Sequence, residues 1–183
     1  NTLCIQNGAR LSHPANVYIE TASRQRESRG ALYALLEPVN ARPVPHALLT
    51  ELTRTLASSY YGATGSLTRG LRGALLAANS ALVEHNVRLP EEQRVLVGIN
   101  CIVVRGQDAY IGQMGPALLL LQHGTAQQGV LTRYPESSLW IRSANPTASD
   151  MTLEPPAGLR VEVEPSLSHV WLQPGDVLVM ATT

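Results

Sequence analysis

The residues able to do acid–base or metal chemistry are few and widely spaced. Of 183 residues only three are aspartate: Asp108 in a predicted hairpin turn, Asp150 in a proline-rich loop, and Asp176 in the turn Pro174-Gly175-Asp176. Hard divalent metals need several converging carboxylates, and this distribution offers little to build such a cage. The five histidines (His13, His46, His85, His123, His169) never fall four residues apart, so no pair shares a helix face as ligands. Each reads as a surface or cap residue. Cys4 and Cys101 are too few and too distant for a disulfide framework or a zinc site; they read as two buried free thiols in a reducing, cytoplasmic setting. The stretch GSLTRGLR at 65–72 has two glycines at phosphate-loop spacing, but Leu71 stands where the lysine must be. No G-x-S-x-G elbow and no H-E-x-x-H pair occurs.

The elements that must position these residues follow from hydrophobic periodicity. Short strands are expected at Thr2–Gln6 and Asn16–Thr21, then a solvated arginine-rich connection over Ser23–Arg29. Gly30–Leu36 is an apolar strand stopped at Glu37-Pro38. Pro43 and Pro45 suit the entry to a helix, in which Leu48, Leu52 and Leu56 recur every fourth residue as one apolar stripe. A second helix is predicted from about Ser66 to His85, with Leu67, Leu71, Leu75, Ala78 and Leu82 on one face. Its interior glycines, Gly70 and Gly73, each cost on the order of 1 kcal/mol relative to alanine, which close packing against another layer would offset.

Strands return in the second half. Arg94–Arg105 and Ala109–Gln113 flank the turn Gly106-Gln107-Asp108 as a hairpin, and Leu118–Gln122 forms another strand. Arg160–Glu164 alternates with period two and predicts a half-exposed strand; His169–Leu172 and a buried Val177–Thr182 complete the series. Residues 125–157 are polar and proline-rich, with Tyr134 and the apolar Leu139-Trp140-Ile141 among them. Strands, two adjacent helices and strands again predict a layered α+β fold with antiparallel hairpins rather than a parallel βαβ sheet.

Composition bounds the partners. The 14 arginines balance 14 acids, and no lysine or phenylalanine is present. A net charge of zero gives no basic footprint for nucleic acid. No apolar run is long enough to span a bilayer. The chain opens without methionine or a signal-peptide pattern, which predicts a piece of a longer protein.

The element order, the helix pair and the LQPGD turn leading into an apolar strand together resemble the type 2C (metal-dependent, PPM) protein serine/threonine phosphatases. The resemblance covers nearly the whole chain and is poorest over 125–157. It implies a single domain over 1–183: an α/β/β/α sandwich of two antiparallel sheets flanked by helices, partly truncated, with a variable insert at about 125–157. In that family, manganese or magnesium ions at one end of the sandwich activate a bridging water to attack a phosphomonoester.

The family motifs match position by position, but most acids are missing. Gly8-Ala9-Arg10 resembles the first motif, with Arg10 matching a phosphate-contacting arginine and Ala15 standing at a ligand aspartate. Glu37-Pro38 replaces the Asp-Gly that ends the next motif strand. Gly115-Pro116-Ala117 resembles a Gly-Asp-Ser, placing Pro116 at a second aspartate, and Gly98 fits the start of the glycine-threonine-threonine strand. After the PGD turn, Thr183 stands where an aspartate is expected. Two neighbouring dications repel, and only a dense set of anionic ligands offsets that. The resemblance therefore implies a pseudophosphatase: no catalytic residues, no metal ligands and no cofactor. It would bind a protein partner or another domain of its own chain. Tyr134 and Trp140 are candidate contacts, the alternative being a short strand whose tryptophan folds back onto the sandwich. Arg10 is a candidate anion contact, the alternative being a loop arginine in a surface turn. The competing expectation is an active phosphatase that uses atypical residues or residues further downstream.

Overall fold

The computed structural model describes residues 3–6, 8–12, 14–20, 24–39, 43–124, 130–134 and 155–182. The first half comprises β1 (Ile5–Gln6), β2 (Ala9–Arg10), β3 (Val17–Glu20), β4 (Ala31–Pro38), α1 (His46–Gly62) and α2 (Leu67–Val87). The second comprises β5 (Val97–Arg105), β6 (Asp108–Met114), β7 (Leu118–His123), β8 (Val130–Tyr134), β9 (Ser166–Trp171) and β10 (Val177–Ala181). Every strand pair is antiparallel. A five-stranded sheet runs β3-β4-β5-β6-β9, a three-stranded sheet runs β10-β7-β8, and β1-β2 is a small ribbon.

The two faces of the large sheet follow from the alternation of its strands. Leu32, Ala34 and Leu36 of β4, with Ile99, Cys101 and Val103 of β5, join the helix residues in one buried cluster. The helices supply the stripes their sequence implies: Leu48, Leu52 and Leu56 from α1, and Leu67, Leu71, Leu75, Ala78 and Leu82 from α2. The opposite face places Ile102, Ala109 and Ile111 against Leu119, Leu178 and Met180 of the small sheet. Each fully buried aliphatic side chain is worth about 1.5–3 kcal/mol of transfer free energy, so the helix side dominates the core. The architecture is thus helix pair, five-stranded sheet, three-stranded sheet; among the described residues no second helix layer covers the small sheet.

Several local expectations are corrected. β4 does not stop at Glu37-Pro38 but runs through both, paired with Gly98 and Val97. Residues 24–29 form a 3-10 turn rather than a solvated loop, and Arg29 folds inward. Arg160–Glu164 forms no strand although it alternates, because it lies on the surface of α2 rather than beside a sheet edge. Val130–Tyr134, inside the stretch read as an insert, pairs with β7 as an edge strand. Ala157, at its other end, bridges to Val97. β10 is an edge strand with Val177 49% and Val179 44% exposed, not a buried one. Of the two thiols only Cys101 is buried; Cys4 is half-buried.

Helix α2 contains two glycines with different environments. A Cβ on Gly70 would collide with the Arg29 guanidinium, so a side chain there would displace Arg29. Gly73 faces open space, and no packing offsets its cost.

Candidate functional site

The residues matched to the ligand motifs converge at one end of the sandwich, because antiparallel register brings distant segments level. Asn16, next to Ala15, accepts the Leu36 amide at 2.8 Å and donates its Nδ2 to the Leu36 carbonyl at 3.2 Å. Glu37 follows and lies opposite Gly98. A side chain at Gly98 would run into the carbonyl of Pro116, so this glycine lets the 115–117 turn sit directly on β5. Ala117 leads into Leu118, which pairs with Ala181, so Thr182 borders the same end. Ala15, Glu37 and Pro116 therefore lie toward the same end of the large sheet. Thr183 and Trp140 lie outside the described residues. Tyr134 ends β8 opposite Leu119, and Arg10 is exposed on the β1–β2 ribbon.

The chemistry of this end is mostly neutral. Glu37 is only 5% exposed although it lies near the end of its strand. It shares the inter-sheet face with Asn100 and Gln113, since Leu35 pairs with Asn100, Asn100 pairs with Gln113, and strand faces alternate. The Gln113 amide donates to Asn100 Oδ1 at 3.2 Å, and Asn100 Nδ2 donates to the Leu118 carbonyl at 2.7 Å. These bonds join two buried carboxamides to each other and to the start of β7, as buried polar groups need partners. Sequence reading missed it; the polar residues interrupting two apolar strands, at Asn100 and Gln113, were the available signal.

Two of the three aspartates are also engaged. Asp176 accepts from the Gln173 amide at 2.8 Å and meets His123 Nδ1 at 2.9 Å. The Gln173 hydrogen bond holds its carboxyl below the usual carboxylate range, with His123 helping and desolvation opposing. Asp108 meets His169 Nε2 at 2.7 Å. His123 and His169 are thus carboxylate partners rather than idle surface residues. Both pairs stabilise turns far from Glu37. Burial alone pushes the Cys101 thiol up to about 12, so it is inert as a nucleophile.

No protein-family model matches the chain, and no curated protein matches it in sequence. Solved structures do match. The catalytic domain of the serine/threonine phosphatase PstP, crystallised with two manganese ions, aligns over 93% of this chain and 71% of its own at a TM-score of 0.60 and 16% identity. PppA of Pseudomonas aeruginosa, described as a key regulatory component of its type VI secretion system, aligns over 90% of this chain and 74% of its own (TM-score 0.59, 15% identity). The serine/threonine phosphatase of S. agalactiae aligns over 98% and 77% (TM-score 0.61, 16% identity).

The PstP structure corrects the expectation of no cofactor, because a domain of this fold holds a pair of manganese ions. Measured against that pair, the described side chains do not suffice. Glu37 is a single carboxylate, Asn100 and Gln113 are neutral, and no three His, Cys, Asp or Glu side chains converge among the described residues. Two adjacent dications need several anionic oxygens, so no step through a metal is derived from these residues. At this level of identity the comparisons establish architecture: the chain has the fold of the type 2C (PPM) serine/threonine phosphatases.

Proposed function

We propose that this type 2C phosphatase-like domain acts without turnover, as a pseudophosphatase that binds a protein partner or another domain of its own chain. The observation that supports this most is the make-up of the Glu37 end. Ala15 and Pro116 supply no carboxylate there, one acid is buried, and Asn100 and Gln113 beside it are hydrogen-bonded neutral carboxamides. The reading concerns catalysis; manganese remains a ligand to be tested because the fold accommodates it in PstP. PppA, of the same fold, carries a regulatory description, which fits a binding role.

Within this reading Ala15, Pro116 and Thr183 occupy former ligand positions, and Tyr134 and Trp140 are assigned to partner contact. Tyrosine and tryptophan are the side chains most enriched at binding hot spots. Both cysteines are free, consistent with the reducing, cytoplasmic setting expected from the sequence. Among the described residues, no helix is long and apolar enough to cross a membrane.

The test is hydrolysis of p-nitrophenyl phosphate by the purified protein with manganese, with and without chelator. The reading expects release at the buffer rate in both. Turnover that manganese stimulates and chelator abolishes would replace it with the competing one, an active metal-dependent phosphatase.

A further inference from the structure

The other end of the large sheet carries a concave feature of different chemistry. A cleft of about 380 Å³ opens between the 24–29 turn, the start of α2 and the β5–β6 hairpin. Its lining includes Ser28, Arg29, Ser66, Thr68, Arg105 and Tyr110. Six steps along β4, at roughly 3.3 Å each, put about 20 Å between this cleft and Glu37.

The cleft carries two positive charges and no lining carboxylate. Arg29 donates Nη1 to the Gly65 carbonyl at 3.0 Å and Nη2 to the Tyr60 carbonyl at 3.2 Å, and its guanidinium lies 4.9 Å from the Tyr60 ring centroid. Arg105 donates Nη1 to the Ser28 carbonyl at 3.3 Å. These partners are dipoles, which orient the guanidiniums without cancelling their charge. Arg29 Nε is buried and has no hydrogen-bond partner among the described residues. Of the acids around the cleft, Asp108 is held by His169, and Glu27 of the 24–29 turn is exposed and does not line it. Two like charges converging on one cavity repel, and an anion between them relieves that repulsion. Ser28, Thr68 and Tyr110, each bearing a hydroxyl, are among the cleft's lining residues, beside the start of a 21-residue helix whose first amides lack intrahelical acceptors, that of Arg69 being capped by Ser66 Oγ.

We propose that this cleft binds a phosphate group, as inorganic phosphate or as a phosphomonoester on a peptide. Guanidinium pairs suit that ligand because they present paired donors to tetrahedral oxyanions. The site rests on the cleft alone and is independent of whether the Glu37 end turns over substrate.

The experiment is a titration of the ¹⁵N-labelled protein with sodium phosphate at constant ionic strength, with sodium chloride as control. Saturable shifts at the Ser28, Thr68 and Tyr110 amides are expected, and Arg105→Gln, at an exposed position, should weaken them at least about tenfold. Arg10→Ala should leave them unchanged. A phosphoserine peptide that binds tighter than phosphate, beside a silent unphosphorylated twin, identifies a phosphorylated protein as the source; equal affinity identifies free phosphate. Shifts that are absent, that chloride reproduces, that centre on the Arg10 ribbon, or that persist undiminished in a folded Arg105→Gln protein overturn the site.

Discussion

The two ends of β4 and β5 use the same sheet for opposite purposes. At the Glu37 end, backbone approaches backbone: Gly98 lies under the Pro116 carbonyl, and polar side chains satisfy one another. At the Arg29 end, tyrosine and arginine side chains fix a turn to the helix layer and leave positive charge lining a cleft. The first end is closed and nearly neutral; the second is open and cationic. The carboxamide-lined end and the proposed anion cleft thus lie at opposite ends of one sheet.

The largest effect is expected where that closure is tightest. Gly98→Ala would push a methyl group into the Pro116 carbonyl, separating the 115–117 turn from β5. Overpacking of this kind costs about 1–3 kcal/mol or more, so chemical denaturation should show a clearly lowered midpoint. Gly73→Ala, in open space on α2, is the matched control and should raise stability by up to about 1 kcal/mol.

Next comes Asn86, which ties the Glu37 end to the helix layer. Its Nδ2 donates to the Val95 carbonyl at 2.7 Å and the Gly158 carbonyl at 3.0 Å, and its Oδ1 accepts the Val95 amide at 2.8 Å. Asn86→Ala removes the partner of three backbone groups, one buried at Gly158 and two half-buried at Val95, at about 1–3 kcal/mol for the loss of such partners. Amide exchange should accelerate at Val95–Gly98 and near Gly158, and not at Arg29–Leu32. Uniform acceleration would show that the two ends are not separable.

A smaller loss is expected at the other end. The buried Tyr60 hydroxyl donates to the Arg29 carbonyl at 2.5 Å. Burial pushes this phenol up to about 12, against the Arg29 guanidinium, so it is a neutral donor at ordinary pH. Tyr60→Phe should cost about 1 kcal/mol and loosen Arg29. A phenol whose folded value is raised stabilises fully below its unfolded value, near 10. That contribution disappears as pH rises towards 12, so the variant should lose less stability than wild type on alkaline titration.

These residues also show what the sequence could and could not reveal. The leucine stripes of both helices, the β5–β6 hairpin and the layered α+β class were legible because they depend on local period and turn chemistry. The arrival of Ala15, Glu37 and Pro116 at one end was legible only through motif order. Arg29, Asn79 and Asn86 were not legible, since each acts across long sequence separations on backbone carbonyls, which leave no pattern in neighbouring residues. Asn79 illustrates this: it accepts the Gly158 amide and donates to the Arg160 and Val161 carbonyls. Those contacts hold 158–161 on α2, and the alternating RVEVE segment therefore never becomes a strand.

The mildest prediction concerns acid. Asp176 has its carboxyl depressed chiefly by the Gln173 amide. A lowered folded value contributes stability above the unfolded carboxylate range and loses it as pH falls through the folded value. Asp176→Asn should therefore flatten the acid limb of the melting temperature against pH. An unchanged limb would place the acid sensitivity elsewhere.

The most direct measurement for the account as a whole is the initial rate of p-nitrophenyl phosphate hydrolysis in manganese, wild type beside Glu37→Gln. A pseudophosphatase predicts that both equal the rate without protein. A wild-type rate well above that background, lost in a folded Glu37→Gln protein, would contradict it and make the buried glutamate part of a working active site.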